Sequence, residues 1–310
     1  MAETPLYFST ADRQRLEPHL PPPRSSSQSI SSTHSPPLSS TVPFVTLTFA
    51  TSLDSALALG PGIRTELSGP QSKAMTHYLR SRHDAICVGV GTAVADDPGL
   101  NSRLADVVPI AHSVGGSDGD GDDHDNNEGS SRSRITAHQP RPVIIDPRLR
   151  WEFTTQSKVM RLAREGKGLA PFIVTLEKEP PPAKRAILEG VGGKFITLSA
   201  EHIHQDESNG TRRLDWRGIL SVVQQEGLRS IMVEGGAEII NSLLGENANL
   251  VNSVIVTIAP TWLGQGSVTV SPPRTHGADR PVARLSDTMW LPLGDDIVLC
   301  GRIARQRAET

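Results

Sequence analysis

The chain has 310 residues, a mass of 33.3 kDa and a formal net charge of −3. The charge and a pI near 6.4 give no electrostatic footprint for nucleic acid, and no apolar run approaches the roughly 18 residues of a membrane span. The two cysteines lie in apolar, strand-like contexts, which argues against a disulfide framework, and the N-terminus lacks a secretory or transit-peptide pattern. We therefore expect a cytoplasmic protein that binds neither nucleic acid nor a membrane.

Two stretches of the chain have almost nothing to bury. Residues 20–43 are mostly Pro and Ser, and residues 113–134 carry six acidic side chains against two arginines. Neither stretch can offset its chain entropy by apolar burial, so both are predicted to be disordered. The chain therefore divides into an N-terminal tail, residues 1–42, with a short helix capped by Thr10, and one domain, residues 43–306, that contains the acidic insert.

The first half of the domain alternates strands with a helix. Residues 43–54 show the apolar–polar alternation of a strand, and a helix is predicted after Ser68, with Pro70 at an early helical position. Residues 85–94 form a continuous run of small and β-branched side chains, which is typical of a strand that is buried on both faces. Residues 142–147 predict another short buried strand.

The second half repeats this alternation. Strands are predicted at residues 171–176, 194–198, 230–236, 253–260 and 296–303. Helices are predicted at residues 183–192, 215–227 and 237–247. Strands that alternate with helices indicate an α/β sheet with parallel members. The last two strands have no predicted helix between them, so we expect an antiparallel edge at the C-terminal side.

Three segments carry residues suited to chemistry, and each also has a purely structural interpretation. Residues 88–103 place two glycines, a hydroxyl at Thr92, paired acids at Asp96 and Asp97 and a cation at Arg103 after a buried strand. Glycines at a strand end let a ligand approach the backbone, and the amides of a following turn can bind an anion. A plain strand–turn would show the same pattern, and the spacing does not match the GxGxxG dinucleotide fingerprint.

The other two segments place an acid at a strand end. In residues 231–240 a strand, Glu234, two glycines and a helix start follow one another, which suits phosphate binding at a helix N-terminus but also fits a simple helix-initiating turn. Asp54 ends the first strand, where turn-forming or capping aspartates are commoner than catalytic ones. No metal site is predicted, because His202 and His204 have no cluster of Cys or acidic residues at ligand spacing.

Together these segments resemble a reductase family of riboflavin biosynthesis. The resemblance is carried by PFVTLTFATSLD, GTAVADDPGLNSR, PVIIDPRLRW, VEGGAEII and WLPLGDDIVLCGRI, from about residue 43 to 303. The family reduces the ribosyl side chain of 2,5-diamino-6-ribosylamino-4(3H)-pyrimidinone 5′-phosphate to a ribityl side chain. It is similar to the C-terminal domain of the bacterial bifunctional deaminase–reductase, and the single-domain form of this chain resembles the fungal members.

The resemblance implies a dihydrofolate-reductase-like α/β fold, NADPH as the hydride donor with NADH as an alternative, and a homodimer. It implies cofactor-binding residues at the two glycine-containing turns: Thr92, Asp96, Gly235, Gly236 and Ala237. It implies substrate-binding residues on a helix and beside the paired acids: Arg80, Leu100 and Arg103. Asp54 and Glu234 are the two candidate catalytic acids, as proton carriers or as partners of sugar hydroxyls.

Two departures from the family pattern and two rival functions stay open. Ser55 and Ala56 stand where many relatives have Gly-Lys, and Asn101 with Ser102 replaces a commoner Thr-Val pair. The sequence does not assign the proton transfer to Asp54 or to Glu234. The rival functions are reduction of another pterin or pyrimidine on the same fold, and non-catalytic nucleotide binding.

Overall fold

The computed structural model describes residues 6–23, 41–105, 138–205, 212–274 and 280–304. Most of the Pro/Ser-rich stretch and the whole acidic insert, both predicted to be disordered, lie outside these described residues. The helices are α1 (Thr10–Leu16), α2 (Pro70–Arg82), α3 (Val90–Asp96), α4 (Lys158–Arg164), α5 (Pro182–Glu189), α6 (Trp216–Gln225) and α7 (Ala237–Leu244). The strands are β1 (Phe44–Thr51), β2 (Ala56–Ala58), β3 (Ala85–Gly89), β4 (Arg141–Ile145), β5 (Phe172–Thr175), β6 (Lys194–Thr197), β7 (Ile203–Gln205), β8 (Arg212–Leu214), β9 (Ser230–Gly235), β10 (Ser253–Ile258), β11 (Val268–Thr269), β12 (Leu285–Leu293) and β13 (Asp296–Ile303).

Nine strands form one sheet in the order β12-β13-β10-β1-β9-β3-β4-β5-β6. Neighbouring strands from β10 to β6 are parallel, whereas β13 is antiparallel to β10 and β12 is antiparallel to β13. A strand that continues a sheet in the parallel direction must be reached by a crossover connection, which is usually a helix. The described residues between β10 and β12 contain no helix, in keeping with the antiparallel pairing at this edge. The predicted mixed, largely parallel sheet with an antiparallel C-terminal edge is confirmed.

Helices cover both faces of the sheet. In β9, Val233 belongs to the apolar cluster formed with α6 and α7, whereas the preceding Met232 belongs to the cluster formed with α2. Successive side chains of a strand point to opposite faces, so both faces of β9 are buried. Each fully buried side chain of this size stabilises the fold by about 1.5–3 kcal/mol, which fixes the strand ends that carry the candidate site.

The predicted strand at residues 85–94 is wrong in its second half. β3 ends at Gly89, which is paired with Ile145 at the end of β4, and α3 begins at the next residue. Val90 and Ala93 are buried while Val94 is 58% exposed, which is the spacing of a helix face. A continuous apolar run does not distinguish a buried strand from a buried helix. Here the chain leaves the sheet where its pairing with β4 ends, and the residues that follow form a helix.

Two helices begin one residue away from the predicted cap, and one further helix and five strands were missed. The side chain of Ser9, and not that of Thr10, accepts the N–H of Asp12, and Gly69 precedes α2. Besides α3, the missed elements are α4 and the strands β2, β7, β8, β11 and β12. Among the described residues α2 is the longest helix, at 13 residues, and none of their helices is long and apolar enough to cross a membrane.

Residues 6–23, here called the N-terminal arm, pack onto the domain. Phe8, Leu16 and Leu20 are buried in the cluster that contains the apolar face of α2. At the start of the arm, Leu6 forms a parallel bridge with Leu104, in which the Leu6 N–H donates to the Arg103 carbonyl over 3.1 Å. The predicted short helix is present, and the arm contacts the segment that carries a candidate substrate arginine.

Candidate functional site

A cleft of about 1700 Å³ opens at the carboxyl ends of the parallel strands. Its walls come from the ends of β1, β3, β4, β9 and β10 and from α2 and α3. Ligands of open α/β sheets bind at this edge, and the volume exceeds that of a usual single-ligand pocket. The lining includes most of the predicted site residues: Arg80, Thr92, Asp96, Leu100, Arg103, Glu234, Gly236 and Ala237.

The turn between β9 and α7 has room for a ligand at its second glycine. Gly235 and Gly236 have φ values of +91° and +93°, a conformation that favours glycine. A Cβ on Gly235 would lie 2.6 Å from Ile240 Cγ1, whereas a Cβ on Gly236 would meet Thr92 Oγ1 at 3.4 Å and otherwise open space. The Gly-Gly turn therefore forms a cradle beside α3, and its residues suit the close approach of a nucleotide cofactor.

Thr92 joins the two glycine-containing turns. Its hydroxyl donates to the Gly235 carbonyl over 3.3 Å, so the start of α3 and the end of β9 form one surface. Asp96 lies at the last position of α3, half-buried on the cleft wall. The predicted cofactor-binding residues therefore come together, although they are separated by about 140 positions in sequence, because β3 and β9 are neighbouring parallel strands.

Arg80 and Glu234 form a two-point ion pair on the cleft wall. Arg80 Nε and Nη2 donate to the two carboxylate oxygens of Glu234, each over 2.7 Å, and Arg80 Nη1 donates to the Asn101 carbonyl over 3.2 Å. Both side chains are mostly buried, with 15% and 19% exposure. Paired, charge-assisted hydrogen bonds of this geometry fix the orientation of both groups. The predicted substrate arginine thus orients the predicted catalytic acid.

Arg103 lies against a buried histidine that the sequence analysis did not single out. His77 is 6% exposed, and its Nε2 lies 3.2 Å from Arg103 Nε and 3.1 Å from Arg103 Nη2. Burial lowers the pKa of His77 to about 2, and the positive charges of Arg80 and Arg103 add to this effect. One sequence signal was available, since His77 precedes Arg80 by three residues and so shares its face of α2.

Leu100 contributes backbone, and not its side chain, to the cleft. Its side chain is 1% exposed and belongs to an apolar cluster under the loop, and its φ is +53°. The loop is held at both ends: Asp97 Oδ1 accepts the first helical N–H of α4, from Lys158, over 3.0 Å, and Asn101 Nδ2 donates to the Lys167 carbonyl over 2.9 Å. The unfavourable backbone conformation at Leu100 is thus maintained by its surroundings.

Asp54 does not line the cleft. Its carboxylate accepts a hydrogen bond from Ser52 Oγ over 2.5 Å and from the backbone N–H groups of Leu263 and Gly264 over 3.1 and 2.8 Å. These bonds, that from Ser52 first, lower the pKa of Asp54 to about 2. Because this carboxylate lies outside the cleft lining and its oxygens are taken by three hydrogen bonds of the turn, the geometry favours the turn-forming interpretation, and catalysis by Asp54 stays a prediction.

The architecture is that of an α/β protein with a ligand cleft at the carboxyl edge of its parallel strands. The chain belongs to the RibD C-terminal domain family, whose model matches residues 43–299. Proteins named 2,5-diamino-6-ribosylamino-4(3H)-pyrimidinone 5′-phosphate reductase from Saccharomyces cerevisiae and Eremothecium gossypii are 36% and 38% identical to it. The first alignment covers 85% of this chain and 88% of that protein, and the second covers 98% and 100%.

Solved structures agree with this assignment. The riboflavin biosynthesis reductase of S. cerevisiae is 30% identical, with a TM-score of 0.62 over 94% of this chain and 99% of its own. RibD of Acinetobacter baumannii, at 21% identity and a TM-score of 0.60, shares the fold over 86% of this chain and 60% of its own. The predicted family, the dihydrofolate-reductase-like fold and the expectation of an oxidoreductase are confirmed.

Proposed function

We propose that this chain reduces the ribosylamino side chain of 2,5-diamino-6-ribosylamino-4(3H)-pyrimidinone 5′-phosphate to the ribityl side chain, with NADPH as the hydride donor. The observation that carries the proposal is that one cleft holds the Gly235–Gly236 cradle together with the Arg80–Glu234 pair and Arg103. The first arrangement suits a nucleotide cofactor, and the second suits a phosphorylated sugar. The names of the relatives agree with this substrate.

The reaction divides into proton transfer on the sugar and hydride transfer to C1′. Opening of the ribosylamine ring gives an imine at C1′, which accepts a hydride at carbon and a proton at nitrogen. The bound cofactor supplies the hydride, and the protein contributes mainly positioning. Glu234 lies in the cleft, fixed by Arg80, and is the acid we assign to holding sugar hydroxyls and assisting proton transfer. Thr92, Asp96 and the Gly-Gly turn would hold the cofactor, and Arg103 the substrate phosphate.

An NADPH oxidation assay under single-turnover conditions tests the function. With the proposed substrate, loss of absorbance at 340 nm should accompany a product that is two hydrogens heavier. Turnover of a dihydropterin or another pyrimidine at a higher kcat/KM would replace this substrate assignment. Tight NADPH binding without turnover of the ribosylaminopyrimidine would instead support the non-catalytic alternative.

Arg150 provides a separate test of the preference for NADPH over NADH. It lies on the cleft wall just after β4, and its guanidinium forms no ion pair with any residue in the described ranges. Asp146 Oδ1 accepts its backbone N–H over 2.9 Å, which fixes the turn. A cation in this position suits the 2′-phosphate that distinguishes the two cofactors. We therefore propose that Arg150 recognises this phosphate.

Arg150→Met should weaken binding of 2′,5′-ADP about tenfold or more, because a charge-assisted phosphate contact contributes about 1.5–3 kcal/mol. Binding of 5′-ADP, which lacks the 2′-phosphate, should be unchanged. Calorimetric titration measures both, and Arg148→Met is the matched control, since Arg148 is exposed in the same turn but does not line the cleft. Equal losses for the two nucleotides would remove Arg150 from the proposed role.

We further propose a cytoplasmic homodimer. The exposed apolar side chains of Trp290 and Ile297 on the antiparallel edge, 51% and 36% exposed, support self-association there. Sedimentation velocity measures the oligomeric state directly.

A further inference from the structure

The two candidate substrate arginines are held by chemically different partners. Arg80 is held by the carboxylate of Glu234, whose negative charge offsets its own. Arg103 is held by His77, whose Nε2 lies within 3.2 Å of two guanidinium nitrogens. Helix α2 supplies both His77 and Arg80, so the two arrangements lie side by side on one wall of the cleft.

The imidazole of His77 is neutral and accepts from Arg103. Arg103 presents donors to both ring nitrogens: its guanidinium faces Nε2, and its backbone N–H donates to Nδ1 over 3.1 Å. A guanidinium and a backbone N–H can only donate hydrogen bonds, so the ring acts as an acceptor toward Arg103. Among the described residues, the charged groups that shift the pKa of this ring are Arg80, Arg103 and Lys158, all of them cationic, and a hydrogen bond to the Asn101 carbonyl only partly opposes their effect. The ring therefore stays neutral throughout the physiological pH range.

We propose that His77 is a positioning residue, a neutral acceptor that orients the Arg103 guanidinium toward a substrate phosphate without cancelling its charge. A carboxylate in the same place would orient Arg103 equally well, but it would repel a dianionic phosphate and offset the cation that attracts it. The inference rests on the proposed function, in which Arg103 binds the phosphate.

Apart from the Arg103 N–H, which donates to His77 Nδ1, the backbone around Arg103 is fixed by groups other than the His77 ring. Ser102 Oγ donates to the His77 carbonyl over 2.8 Å, and the Gln139 side chain both accepts from and donates to the Ser102 backbone over 2.8 and 2.9 Å. The Leu6 N–H also donates to the Arg103 carbonyl. Loss of the imidazole should therefore release the guanidinium while the main chain of Arg103 keeps its place.

The test compares His77→Leu with His77→Gln. His77→Leu should raise KM for the phosphorylated substrate about tenfold, with kcat changed less than twofold and the NADPH Kd unchanged. Binding of ribose 5-phosphate, measured by calorimetry without cofactor, should weaken by the same factor. In His77→Gln the amide oxygen stands near the position of Nε2 and accepts from Arg103, so most of the affinity should return.

Two further variants separate the possible failures. His83→Gln is the control for a buried histidine at the end of α2, because His83 is bonded to Thr46 and to the Leu79 carbonyl and does not line the cleft. It should lower stability and leave KM unchanged. In an Arg103→Met background, His77→Leu should add no further loss. If Arg103→Met leaves KM unchanged, the proposed phosphate contact fails. If Arg103→Met raises KM but His77→Leu does not, or Gln fails to restore it, the positioning role of His77 is overturned.

Discussion

At the scale of single residues, the two glycines of the β9–α7 turn carry different constraints. Both have positive φ, but only Gly235 packs tightly, since a Cβ there would overlap Ile240. Gly236 faces the open cleft, where a side chain would occupy space that the proposed cofactor needs. The first glycine therefore serves the fold, and the second leaves open the space that we propose for the cofactor.

Gly235→Ala and Gly236→Val should separate these roles. Gly235→Ala combines strain with overlap and should lower the free energy of unfolding by about 2 kcal/mol or more, measured by urea denaturation. Gly236→Val should retain the fold and lose NADPH affinity, measured by fluorescence titration. Gly236→Ala is the control for backbone strain alone. Unchanged NADPH affinity in Gly236→Val would remove the turn from the cofactor site.

The sequence predicted most cleft residues because their types are distinctive at strand ends. Thr92, Asp96 and Glu234 belong to local motifs that place a polar group after a buried strand. His77 was missed because its role depends on Arg103, 26 residues away, and only the folded chain brings the two together. Asp54 also lies at a strand end, but its carboxylate accepts hydrogen bonds from the backbone N–H groups of a loop more than 200 residues later. Such a distant contact cannot be predicted from the local sequence.

At the scale of elements, the N-terminal arm is attached to α2 by a partly buried polar cluster. Glu17 accepts hydrogen bonds from Tyr78 Oη and Arg82 Nη1, and Arg82 Nη2 donates to the Pro21 carbonyl over 3.2 Å. Burial and the bond to Glu17 raise the pKa of Tyr78 to about 12, so its hydroxyl stays protonated and donates. The sequence of the arm predicted a short helix and a tail. It did not predict that the arm packs on α2, because these hydrogen bonds join two segments about 60 residues apart.

Glu17→Gln should lower the free energy of unfolding by about 1–2 kcal/mol, because the Arg82 side chain, 5% exposed, would lose its charged partner. The loss should show in urea unfolding. The comparison is Glu189→Gln, which removes an exposed pair with Arg185 and should cost less than about 0.5 kcal/mol. Equal effects of the two substitutions would mean that the arm is not held by this cluster.

At the scale of the whole molecule, the ends of the chain segment that contains the acidic insert are anchored beside each other. Before the insert, Ser102 exchanges two hydrogen bonds with the side chain of Gln139, which follows it. The insert is also close in sequence to Arg103, and its six acids would repel a phosphorylated ligand. A loop with fixed ends can be shortened at little cost, since closure entropy depends only weakly on length.

Deletion of residues 115–133 should leave kcat near that of the full chain and change stability by less than about 1 kcal/mol. Removal of six acids should raise the association rate of NADPH at low salt, an effect that added salt abolishes. Stopped-flow binding measures this rate. A variant of full length with the six acids changed to Asn or Gln separates charge from length. Abolished turnover in a folded deletion variant would show that the insert takes part in the reaction.

The place of β1 in the sheet has a consequence for biosynthesis. This strand is among the first parts of the domain to leave the ribosome, yet its partners are β9 and β10, with Phe44 beside Ser230 and Thr46 beside Ser253. β1 therefore has two unpaired edges until about residue 235 has been synthesised, and one until about residue 258. Unpaired strand edges are the surfaces that promote aggregation of nascent chains. Contacts this distant in sequence also slow folding. Productive folding of the parallel core is thus a late event in synthesis. A chain that terminates before β10 would leave exposed an edge of β1, an apolar strand that lies inside the sheet of the full chain.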